Sequence, residues 1–156
     1  PTVGALLREH TTPNATRTAP PSAPRPASAS LAASLRARYG DDRRWVASFD
    51  ARSYDYRMQY LRPDLRTELS EHEFDVVVHR SIALFRRPYV EEVYTHLGPA
   101  RCLVLEHERA TAVHLYLSDR EGVIVKIATG NEVSLPAFPD ACLAALYPGS
   151  EEVTGG

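Results

Sequence analysis

Lysine is all but missing from this sequence: Lys126 stands alone beside seventeen arginines. A GC-rich genome produces that bias without any chemical demand, and this origin takes the larger share of the explanation. Cysteine is scarce as well. Cys102 and Cys142 are too few for a disulfide framework, and no CxxC pair marks a zinc site. Each lies in an apolar run, where a free thiol behaves as a small buried hydrophobe; a single bridge between them is the alternative. No apolar run approaches the roughly 18 residues that span a bilayer. The first residues lack the basic stretch, apolar core and cleavage site of a secretory leader. These absences predict a soluble, cytoplasmic chain with reduced thiols and no membrane contact.

Chemistry is thinly represented too. The glycines form neither GxGxxG nor a Walker sequence, so phosphates lack their usual cradle. No GxSxG elbow is present, and neither cysteine has a histidine partner in a motif. Glu91-Glu92 and Glu151-Glu152 are neighbours in sequence and need not face one another. His107 and His114 flank a turn, with Glu106 and Glu108 beside them, but their spacing matches no metal-ligand pattern. His72 and His79 lie seven apart on the polar side of a helix. No enzyme, no metal and no cofactor are expected. A formal charge of −2 argues against a generally basic nucleic-acid binder, while a local basic strip stays open.

What the sequence does contain falls into a tail and a domain. Residues 1–30 hold six of the twelve prolines and six alanines, with no large apolar residue after Leu7. Such a stretch cannot bury enough surface to offset its ordering entropy and is expected to be a flexible Pro/Ala/Ser-rich tail. It is either a solvated linker or an arm that orders on a partner, with Leu6, Leu7, Arg17 and Arg25 as its docking residues.

From residue 31 to 147 the pattern becomes periodic. "SLAASLRARYG" reads as a helix capped by Ser30, with Leu31 and Leu35 on one face and Gly40 as its stop. "RRWVASFD" (43–50) and "YDYRMQYL" (54–61) read as a hairpin across Ala51-Arg52-Ser53. Strict alternation would put Tyr54, Tyr56, Met58 and Tyr60 on one face and Asp55, Arg57 and Gln59 on the other. Ser70 and Glu73 form a capping box, flanked by the Leu69–Phe74 staple, for a helix bearing Val77, Val78, Ile82 and Phe85. Residues 89–98 read as a short second helix.

Three strands, 101–108, 111–118 and 122–128, are joined by connections short enough only for antiparallel hairpins. A last helix over 135–147 places Leu135, Phe138, Cys142 and Leu146 on one face, and 148–156 reads as a frayed end. The order α-β-β-α-β-β-β-α is an α+β arrangement: a five-stranded antiparallel sheet with helices available to cover one face.

This order of elements over residues 31–147, with its hairpin lengths and closing helix, resembles the roadblock/dynein-light-chain family; longin-like and profilin-like domains share related layouts. "RRPY-VEEVY-THLG-PARC" (86–102) is similar to short uncharacterised proteins of halophilic archaea. The roadblock resemblance implies a non-catalytic homodimeric platform or scaffold that binds protein partners, a small GTPase or a large assembly among them.

The tyrosine strand carries the candidate partner-binding residues Arg52, Asp55, Arg57, Gln59 and Arg62 on its outward side, since tyrosine and arginine are enriched at protein interfaces. Aromatics on a sheet beside arginines are also the ingredients of an RNA-stacking surface. An accessory role in a ribonucleoprotein assembly, anchored by the tail, is therefore the alternative.

Overall fold

Leu31, Leu35 and Tyr39 recur at helical spacing, and in the computed structural model, which describes residues 25–149, all three are buried on one face of α1 (Ser28–Tyr39). The helix begins two residues before Ser30, so Ala27 occupies the cap position and makes no side-chain cap bond. Gly40 stops it as expected: its φ of 55° is open to glycine, and its N–H donates to Arg36 O. The tail residues Leu6, Leu7 and Arg17 lie outside the described residues; Arg25 is described and exposed.

The chain continues through β1 (Arg43–Asp50), β2 (Tyr56–Leu61), a single turn α2 (Leu65–Glu68), α3 (Glu71–Leu84) and α4 (Arg87–Glu91), which runs into a 3₁₀ segment, Glu92–Leu97. Then come β3 (Cys102–Glu106), β4 (Ala110–Tyr116), β5 (Glu121–Ala128) and α5 (Ala137–Leu146). The strands form one antiparallel sheet in the order β2-β1-β5-β4-β3. The α+β class and five-stranded sheet are as the sequence indicated. The coverage is not, because helices close both faces.

On one face α1 and α5 pack together over Val46, Val113, Leu115, Val123, Val125 and Ile127. Ala27 N–H donates to Leu146 O at 2.7 Å, tying the start of α1 to the end of α5. Phe138, Cys142 and Leu146 turn inward, whereas Leu135 precedes the helix and is exposed. On the other face α2 and α3 bring Leu65, Phe74, Val78 and Ile82 onto Trp45, Ala47 and Ile124. The connection from β2 to β3 joins the two opposite edges of the sheet, so α3 crosses it and its apolar stripe is buried along the way.

At α3's start the staple forms and so does the Ser70 half of the capping box, while the Glu73 carboxylate accepts from the Ser70 hydroxyl in place of the Ser70 backbone N–H. Ser70 Oγ accepts from Glu73 N–H at 3.1 Å and lies 3.0 Å from Glu73 Oε1, and Leu69 and Phe74 share the core under the helix.

Two β-bulges break the strict alternation. Val46 pairs with Tyr60 and Ala47 with Met58, leaving Gln59 as an extra residue. Tyr56 and Met58 therefore join the α3-side core, while Tyr60 turns to the α1/α5 side. There the buried Arg43 guanidinium stacks on its ring, 3.7 Å from the centroid. Tyr54 sits in the turn before β2 with φ 65°, yet its ring packs on the same α3-side core as Tyr56 and Met58. So the four-residue face expected from period two loses Tyr60 and keeps Tyr54, Tyr56 and Met58 together.

The second bulge lies between β1 and β5, where Arg43 pairs with Ile127 and Trp45 with Lys126, so that Arg44 is the extra residue. At Gly122, directly opposite Phe49, an added Cβ would sit 2.4 Å from the Phe49 ring and 2.7 Å from Leu115 O, so only glycine fits beneath that ring.

Candidate functional site

Of the outward residues on the tyrosine strand, Arg52, Asp55 and Arg57 are exposed around the β1–β2 turn. That turn is held by Asp50, whose carboxylate accepts from the amides of Arg52 (2.8 Å) and Ser53 (3.1 Å) and from Arg120 Nε (2.5 Å). Burial pushes the Asp50 carboxyl up, but these donors outweigh it and hold the carboxyl below its usual range. Gln59, the bulge residue, donates to Ser48 Oγ at 3.2 Å. Arg62, at the far end of β2, is bound in bidentate fashion by Asp64 (2.6 and 3.0 Å) and also donates to Asp41 O. The fold thus gathers Arg52, Asp55 and Arg57 at one end of the hairpin and places Arg62 at the other.

The histidines separate. His114 pairs across the strands with Leu103 and is buried against the Phe85 ring, 5.1 Å between centroids, while His107 is exposed in the β3–β4 turn. Burial first, and the Lys126 charge second, lower the His114 pKa to about 4. His79 stands edge-on to Tyr54 and Tyr56. Tyr56 in turn donates to Asp75, and burial followed by that bond raises its phenol to about 12. No group of three His, Cys, Asp or Glu side chains gathers in metal-binding geometry among the described residues. Cys102 and Cys142 are free thiols, and burial pushes Cys142 up to about 12. No helix among the described residues is long and apolar enough to cross a membrane.

A feature that sequence reasoning missed lies between α3 and β3. Leu84, Tyr89, Val93, Tyr94 and Leu97 are all exposed, Val93 and Leu97 by 72% and 70%. Isolated exposed apolar residues are ordinary; five within fourteen positions are not. The segment is nevertheless firmly held. Arg87 Nε donates to Glu91 Oε1 at 2.7 Å, the same oxygen accepts from Ala100 N–H, and Tyr116 OH donates to Phe85 O at 2.6 Å. These bonds lower Glu91's pKa, the Ala100 amide contributing most. The available signal was the run YVEEVYTHL itself, whose apolar residues fit no single buried face.

A family model described as a domain of unknown function, DUF7522, matches residues 29–147. The chain belongs to this family. No curated protein matches it in sequence. Among solved structures, the DUF7522 domain is similar to the gliding protein MglB of Thermus thermophilus, with a TM-score of 0.51 and 11% identity over 86% of this chain and 99% of that one. At that identity the likeness concerns the fold alone, and it supports the roadblock-like layout implied by the order of elements.

Proposed function

We propose that this DUF7522 domain is a non-catalytic protein-interaction module, homodimeric, that regulates a protein partner. The observation that carries the reading is the exposed apolar segment from Leu84 to Leu97, held in place by its own hydrogen bonds. Preorganised tyrosines and aliphatic side chains bind at low entropic cost. Beside this segment in sequence is β3, the edge strand whose outer side has no strand neighbour among the described residues and whose residues Cys102–Leu105 are apolar. A second copy laid against that edge would extend the sheet and cover the exposed side chains together. The roadblock-like layout favours a small GTPase, or a component of a larger assembly, as the regulated partner. Arg52, Asp55, Arg57, Gln59 and Arg62 on the opposite edge form a second surface for it.

The test is the molar mass in solution. The wild-type chain is expected to be a dimer by light scattering, and Val93→Asp with Leu97→Asp is expected to give a monomer that still unfolds cooperatively, at a melting temperature that no longer depends on protein concentration. A wild-type monomer would remove the homodimer. The RNA-associated alternative draws on Arg52 and Arg57, whose side chains have no partner among the described residues. It predicts RNA affinity that falls steeply with salt.

A further inference from the structure

Lys126 interrupts a strand that is otherwise apolar, "GVIVKIA", at the middle of the sheet. It faces the α3 side, paired with Trp45 on β1 and with Ala112 on β4. Its Nζ lies 5.0 Å from the centre of the Trp45 ring. No carboxylate or hydrogen-bond acceptor meets it among the described residues. Burial, and next the charge of Arg44, lower its pKa. A half-buried cation without a counter-ion is costly for a fold to maintain.

The space in front of Lys126 is a cavity of about 250 Å³. Ala110 and Ala112 present only methyl groups on this side of β4, which leaves a hollow that Leu65, Leu69, Phe74 and Val77 roof over without filling. The β1–β5 bulge at Arg44 lets consecutive residues serve one site: Trp45 forms part of the apolar wall while Arg44 also lines the cavity. Arg109 and His107 border it from the β3–β4 turn. Arg44 has a mostly exposed acid, Glu68, 3.7 Å away, and its charge also reaches Asp64, which Arg62 already binds in bidentate fashion. Arg44, Arg109 and Lys126 therefore leave a net positive charge around an apolar chamber.

We propose that this cavity binds a small organic anion, a carboxylate on a short apolar body. The apolar body would lie against Trp45 and Phe74, whose rings meet edge to face with centroids 5.3 Å apart and form one continuous wall, and the carboxylate would be the counter-ion that Lys126 lacks, with Arg44 and Arg109 able to pair with its second oxygen. The volume falls just below the range of about 300–1,000 Å³ typical of ligand pockets, which suits a short acid better than a nucleotide. The cations are side chains, not a nest of backbone amides, which favours a carboxylate over a bound phosphate. This site stands apart from the Leu84–Leu97 surface and does not depend on the role proposed for it.

Trp45 is the chain's one tryptophan and lines the cavity, so its fluorescence reports occupancy directly. The probes are 4-phenylbutyrate and its uncharged counterpart 4-phenylbutanol, titrated into the full chain. The acid is expected to shift Trp45 emission saturably and to bind at least tenfold more tightly than the alcohol. Lys126→Met keeps the bulk and removes the charge; it is expected to lose at least tenfold in affinity for the acid and little for the alcohol. Arg109→Gln, at the exposed rim and without demands on folding, is expected to lose severalfold for the acid alone. Equal affinities for acid and alcohol in the wild type, unchanged acid binding in both variants, or no saturable response to the acid would overturn the proposal. So would displacement of the acid by inorganic phosphate at comparable concentration, because then the apolar body would contribute nothing.

Discussion

The two faces of the sheet are built on different terms. Under α1 and α5 the layer is mostly apolar and closed: Leu31, Leu35, Val113, Val125, Phe138 and Leu146 are all nearly or completely inaccessible, and the buried Arg43 is covered by the Tyr60 ring. Under α3 the layer holds tyrosines and the buried His114, and a tryptophan and a lysine that line a cavity. The closed face gains most of its stability from apolar burial. The mixed face retains two desolvated polar groups, His114 and Lys126, against the single ring-stacked Arg43 on the other, and chemistry that binds something is the usual reason to keep them.

The comparison can be broken most directly by equal truncations. Phe138→Ala on the closed face is expected to cost about 4 kcal/mol, since its 1%-exposed ring is surrounded on all sides. Phe74→Ala is expected to cost roughly 1 kcal/mol less, because that ring already borders open space. Equilibrium denaturation of the two variants measures both, and equal losses would erase the distinction in packing.

Acid separates the faces next. His114 titrates near 6.5 when unfolded and at about 4 in the fold. Above pH 6.5 it is neutral in both states and contributes no pH dependence. Between those values the unfolded chain takes up a proton that the folded chain refuses, so stability falls as the pH drops. The total loss is about 3 kcal/mol, complete below pH 4. His114→Leu is expected to remove that part of the slope, as seen by comparing denaturation midpoints of variant and wild type at neutral and acidic pH. An unchanged slope would place the acid sensitivity elsewhere.

The smallest expected effect concerns how each layer's helices begin. Neither α1 nor α5 has a side-chain cap; both are held by burial and by each other. Helix α3 relies on Ser70. Ser70→Ala should cost about 1 kcal/mol, whereas Ser30→Ala, inside the first turns of α1, should be close to neutral. Thermal melts of the two variants would show the contrast.

Much of this architecture is legible in the order of residues alone. All five strands, the capped helix and the terminal helices fall within a few residues of the expected positions, because hairpin lengths, the Ser70–Glu73 box and the Gly40 stop are local signals. The sheet's second covered face escaped because periodicity shows that a helix has an apolar stripe, not which side of a sheet receives it. The parting of Tyr60 from Tyr54 and Tyr56 escaped because counting by twos cannot anticipate an extra residue. The cavity comes from two alanines meeting a roof made by residues distant in the sequence. Its one visible sign was the charge in the middle of "GVIVKIA".

The bulge at Gln59 also determines where the hairpin can change length. Gln59 has no residue opposite it, so a chain lacking Gln59 alone would keep Met58 and Tyr60 facing the layers they face now. It would give up little beyond the bond to Ser48. Removing an in-register residue such as Arg57 would instead turn every side chain on one side of the gap inside out. Within this strand, one position absorbs an insertion or deletion as a change in curvature, while the in-register positions would convert it into inversion of the sheet.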